Sequence, residues 1–129
     1  MRMPSLLALA LLSATVAGCA KKPSLVDQSY FAGKDYWVVI INKDLMKDSG
    51  DLVPIARDIC KEKDICVVGM WLDKTKAPNL VPMTPQQTRD QIFVYGWRAE
   101  TKRESLGWNC RLYPAHQAAG DCIAVPLNQ

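Results

Sequence analysis

Five cysteines and a single histidine carry most of the chemical range of this chain. Cys60 and Cys66 form a C-x5-C pair, and Cys110 and Cys122 a C-x11-C pair. Neither is the tight C-x2-C knuckle of structural zinc, nor the C-x-x-C of a thiol oxidoreductase. His116 lies in a polar loop, where a lone histidine is usually exposed. Asp44, Asp48 and Asp51 come closest to an acidic cluster, but they lack the ordered oxygen-ligand spacing of a calcium loop. Their expected roles are to solvate a loop and, for Asp51, to cap a helix. Ser49 and Ser105 sit in polar turns with no base beside them in the sequence. The chain has no G-x-S-x-G, H-E-x-x-H or glycine-rich phosphate loop. No catalytic residue, metal ligand or cofactor is therefore assigned.

The fifth cysteine is different. Arg2 is followed by the apolar run Leu6–Leu12 and then by Val16-Ala17-Gly18-Cys19. This is the order of an export signal, with an apolar stretch too short to span a bilayer. Val16-Ala17-Gly18-Cys19 resembles the lipobox of bacterial lipoproteins. The resemblance covers residues 1–19 only. It implies that residues 1–18 are a signal removed by cleavage, and that Cys19 carries the lipid that holds the protein on a membrane. Several acyl chains together hold far more firmly than one, at about 0.8 kcal/mol per buried methylene. Ala20 stands where inner-membrane lipoproteins of this class typically have aspartate, so the implied address is the outer membrane, facing the periplasm.

That address is oxidising, and it leaves Cys60, Cys66, Cys110 and Cys122 as an even set of disulfide candidates. Four cysteines allow three pairings. Nearest-neighbour bonds, Cys60–Cys66 and Cys110–Cys122, are the expected ones. The whole-chain charge of +3 includes Arg2 of the signal. With no basic stripe, nucleic acid is excluded as a partner.

The elements that must position these residues are legible in outline. Residues 19–34 are read as the lipidated cysteine and a tether, and residues 35–129 as one small domain. Tyr36–Ile41 and Ile65–Leu72 are apolar, β-branched runs suited to strands buried on both faces. Between them Leu52, Ile55, Ala56, Ile59 and Cys60 mark one face of a helix. This helix must end near Cys60 if that residue is to reach Cys66. Thr84-Pro85-Gln86-Gln87 predicts a short capped helix. Ile92–Trp97 and the alternating run from Leu106 to Leu112 predict a hairpin closed by residues 99–105. Trp71, Trp97 and Trp108 are expected in the core. The fold class is α+β: two layers, about four strands, one longer and one short helix, stapled by disulfides.

Arg98, Lys102, Arg103 and Arg111 are the candidate binding residues, a basic patch at the hairpin tip partly offset by Glu100 and Glu104. Such a patch suits an acidic protein partner or a headgroup surface. Together with the anchor, it favours a non-enzymatic, protein-binding lipoprotein of the inhibitor, immunity or accessory kind. The other reading is a small hydrolase of an envelope polymer, which would need a reactive pair assembled by folding.

Overall fold

The computed structural model describes residues 24–124. The expected cleavage signal, the expected lipidation site Cys19 and the first part of the expected tether lie outside them. Five strands form one sheet in chain order: β1 (Val26–Gly33), β2 (Tyr36–Ile41), β3 (Ile65–Trp71), β4 (Phe93–Arg98) and β5 (Arg103–Trp108). All neighbours are antiparallel except β2 and β3, which are parallel and joined through helix α1 (Leu52–Cys60). A parallel pair needs such a crossover, because a tight turn can only reverse the chain.

The sheet has one strand more than the sequence suggested. β1 occupies residues 26–33, inside the segment assigned to the tether. Half of its residues are exposed, as befits an edge strand, so it shows neither an apolar run nor clean alternation. It closes onto β2 through Lys34 and Asp35, both at positive φ, as a two-residue primed turn requires. β2 and β3 fall where the apolar runs place them. β5 begins at Arg103, earlier than the alternation suggested, and stops at Trp108. The chain then turns because the Asn109 side-chain amide donates to the carbonyls of Arg89 and Gln91 at 3.0 and 3.1 Å. Leu112, read as part of that strand, is consequently exposed.

α1 lays Leu52, Ala56 and Cys60 on one face of the sheet, against Val39, Ile41, Cys66, Val68, Met70, Phe93, Tyr95 and Trp108. Asp51 does not cap it directly. Its carboxylate accepts from the backbone of Lys47 and Asp48, while Asp48 caps the short 3-10 turn that leads into the helix. The opposite face is covered near β2 by the segment after β3 and by α2 (Pro85–Asp90), which carries the expected Thr84–Gln87 capping box. There Trp71 Nε1 donates to the Gln87 carbonyl at 2.8 Å, and Gln91 Nε2 donates to the Tyr36 hydroxyl at 2.7 Å. Cys60 is bonded to Cys66 and Cys110 to Cys122, each with Cα atoms 5.5 Å apart. The first bond joins the end of α1 to the start of β3, and the second ties the C-terminal segment to the end of β5.

Candidate functional site

The β4–β5 turn holds three of the four basic residues singled out above. Arg98 and Arg103 are directly opposite cross-strand partners, and Lys102 sits at positive φ in the four-residue loop between them. Like charges facing one another across a ladder are destabilising. Among the described residues neither arginine is ion-paired with a carboxylate. Glu104 does not offset them. Strand alternation sends it to the other face, where it accepts from Arg57 Nε at 3.0 Å and from the Tyr95 hydroxyl at 2.8 Å. The hydrogen bonds from Arg57 and Tyr95 hold the Glu104 carboxyl below its usual range, while burial, with help from Glu104, pushes the Tyr95 hydroxyl up to about 12.

Arg111 does not belong to the group. It lies past the far end of β5, roughly 17 Å along the strand from Arg103. Its Nη2 donates to the Arg89 carbonyl at 2.9 Å, on the rim of a separate cleft of about 300 Å3 shared with Asp73 and Lys76. The cause is the turn after Trp108, which ends the strand the alternating sequence seemed to continue.

Apolar residues that the sequence did not single out flank the arginines. A cleft of about 470 Å3 is lined by Asp64, Ile65, Arg98, Ala99 and Glu100. Through Asp64 and Ile65 it adjoins another of about 370 Å3, which Phe31, Trp37 and Lys63 also line. Phe31 is 53% exposed and Ile65 46%. The rings of Phe31 and Trp37 lie 5.2 Å apart, and the Lys63 ammonium sits 5.0 Å over the Trp37 ring. This rim of basic and apolar groups collects the β1–β2 turn, the start of β3 and the β4–β5 turn at one end of the sheet. Only the strand pairing brings Phe31 to it, and that strand was hidden in the sequence.

The chain matches no protein-family model, and comparison with curated proteins and with solved structures returns no match. The reading of the site therefore rests on its own geometry.

At the other end of the sheet, His116 is partly buried and not simply exposed. Its ring stacks on Trp108 at 4.2 Å and 10°, and its Nε2 lies 3.2 Å from Ser49 Oγ. The base that Ser49 lacks in sequence is thus supplied from 67 residues away. No acid holds the second imidazole nitrogen among the described residues. Neither Ser49 nor His116 lines the clefts described above. The pair ties the loop before α1 to the C-terminal segment. Ser105 faces Gly96 across the β4–β5 ladder, away from any histidine. Trp71 and Trp108 are core, as expected. Trp97 is half-buried, with its Nε1 donating to the Lys63 carbonyl at 3.1 Å. Asp44, Asp48 and Asp51 remain in their loop and cap turns. No group of three or more potential metal ligands occurs among the described residues.

Proposed function

We propose that this protein is an outer-membrane-anchored periplasmic lipoprotein whose folded domain binds another protein and performs no chemistry of its own. The observation that carries the reading is the unpaired, mutually repelling Arg98–Arg103 couple beside exposed Ile65, the cross-strand partner of Arg98, with exposed Phe31 farther along the same end of the sheet. Such a couple lowers stability unless an acidic surface meets it. Orientation favours a protein over headgroups. Val26 pairs with Ile41 at the end of the sheet remote from the β4–β5 turn. Cys19 lies seven residues before Val26 in the sequence, and such a link spans at most about 25 Å. A lipid on Cys19 then attaches the domain through the end of the sheet opposite the basic rim, so the rim is the end farthest from the attachment point. No helix among the described residues is long and apolar enough to cross a membrane.

The anchor is tested by Cys19→Ala. Metabolic labelling with a fatty acid should disappear completely in this variant, leaving uncut precursor or unanchored protein. Persistent label refutes the assignment.

The binding reading is tested by reversing one member of the couple. Arg103→Glu turns a repulsive cross-strand pair into an attractive one, so stability should rise by a few tenths of a kcal/mol. Capture of the partner from envelope extracts should nevertheless fall at least tenfold. Unchanged capture would leave the rim a solvated turn. The rival hydrolase reading rests on the Ser49–His116 hydrogen bond. It predicts that His116→Ala abolishes a turnover by the purified protein, whereas the binding reading predicts that partner capture survives the change.

A further inference from the structure

Trp108 shows which way the backbone of β5 faces. Its N–H donates to the Asp121 carbonyl at 2.6 Å, and its own carbonyl accepts from Ile123 N–H at 2.8 Å, in a parallel bridge to Cys122. Both groups therefore point away from β4. The next residue points the other way, with Asn109 N–H donating to the Ile92 carbonyl at 2.9 Å. The two-residue period of a strand carries this parity back along β5. Glu104 and Leu106 must present their N–H and C=O groups to the open edge, while Arg103, Ser105 and Gly107 bond inward to β4. β5 is the last strand of the sheet, and no described segment pairs with those outward groups.

Native proteins blunt such an edge with charged side chains, proline, a bulge or a covering loop, and of these β5 carries the charges of Arg103 and Glu104 at its start. Here β5 pairs with β4 in unbroken register from Arg103 to Trp108 and contains no proline. On the face that carries Arg98 and Arg103, the positions next to the couple are Gly96 and Ser105, so little side-chain bulk stands beside that part of the edge, whereas Val94 and Ile123 crowd Gly107 farther along. The 121–123 segment already occupies the far end of this edge in strand fashion. An open edge in regular register that begins at an unpaired arginine couple fits one occupant well: an extended segment with acidic side chains.

We propose that the partner binds by strand addition, with an extended acidic segment pairing its backbone to Glu104 and Leu106 while its carboxylates meet Arg98 and Arg103. Backbone pairing supplies affinity and the arginines set charge preference. This rests on the protein-binding reading above and specifies how that surface is used.

Amide exchange distinguishes this mode from charge attraction alone. The full-length lipoprotein, 15N-labelled and held in detergent micelles, is followed by NMR hydrogen exchange. The probes are an eight-residue peptide alternating glutamate and valine, and a polyglutamate of equal charge. In the free protein the Glu104 and Leu106 amides should exchange rapidly and those of Ser105 and Gly107 slowly. The alternating peptide at saturation should slow the first two at least tenfold and leave the second two unchanged. Arg98→Glu or Arg103→Glu should weaken that peptide at least tenfold. Polyglutamate should shift the arginine signals without protecting either amide.

The proposal falls if Glu104 and Leu106 are already slow in the free protein. Protection that tracks protein concentration instead of peptide assigns the edge to a second copy of this chain and also overturns it. So does an alternating peptide that fails to bind at millimolar concentration, or that binds without protecting these amides. If Arg103→Glu still abolishes partner capture in that last case, the rim stands as a binding surface and only strand addition is lost. If capture is insensitive to Arg103→Glu, the underlying reading fails too.

Discussion

Gly69→Ala is expected to destabilise the protein by about 3–4 kcal/mol, as measured by chemical denaturation of the full chain. Gly69 lies in the middle of β3, and its need for glycine is spatial, not conformational. An added Cβ would collide with the Tyr36 hydroxyl and stand 2.5 Å from Gln91 Nε2 and 2.7 Å from the Trp71 ring. All three neighbours are buried, and burial raises the Tyr36 hydroxyl far above its usual titration range. Overpacking a dense core typically costs about 1–3 kcal/mol. Displacing Tyr36 also breaks its bond with Gln91 and strands a buried amide, for about 1–3 kcal/mol more. Removing the obstructing hydroxyl with Tyr36→Phe in the Gly69→Ala background should return part of the loss. That makes the pair strongly non-additive. A loss below 1 kcal/mol for Gly69→Ala would mean that the Tyr36–Gln91 contact yields easily and does not organise this face.

Removal of the Cys60–Cys66 bond by the double alanine variant should cost about 3 kcal/mol. Closure of so short a loop contributes about 2 kcal/mol in the chain-entropy treatment. The remainder comes from the packing of two sulfurs at 1% and 0% exposure, where truncation leaves a void. The bond fixes the end of α1 over the start of β3, the step at which the chain completes the crossover between parallel β2 and β3. A lower denaturation midpoint together with a steeper slope would locate the larger part of the effect in the unfolded chain, which the bond no longer keeps compact. A loss under 1 kcal/mol would show that packing of α1 alone suffices to hold that junction.

The parts of this fold that could be read in advance are those in which burial dictates composition. β2 and β3 are covered on both faces, so Tyr36–Ile41 and Ile65–Trp71 are almost wholly apolar. α1 is covered on one face, so its apolar residues recur with helical spacing. Thr84 and Gln87 satisfy each other's backbone groups, and that reciprocity leaves a four-residue signature. β1 escaped notice because an edge strand over solvent tolerates Asp27, Gln28 and Ser29. The end of β5 escaped because Asn109 bonds carbonyls 18 and 20 residues upstream, which no local pattern records. The same limit applies to the site. Arg98, Lys102 and Arg103 are neighbours in sequence across a short turn, so their convergence was visible. Arg111 was grouped with them only through a strand that does not continue. Ile65 joins the rim through pairing of β3 with distant β2 and β4, Phe31 through a hairpin with no apolar signature, and His116 meets Ser49 across 67 residues while stacked on Trp108.

The two ends of the sheet give the molecule a mechanical axis. With a lipid on Cys19 and a partner on the β4–β5 turn, tension would enter β1 at Val26 and leave near Arg98 and Arg103. Such a load runs along the strands and not across them. The bonds between β1 and β2 then bear force together, as rivets in shear, and cannot open one by one like a zipper. A domain attached in this way can transmit a pull between the membrane and whatever it holds, with its edge strand acting as the loaded member of the joint.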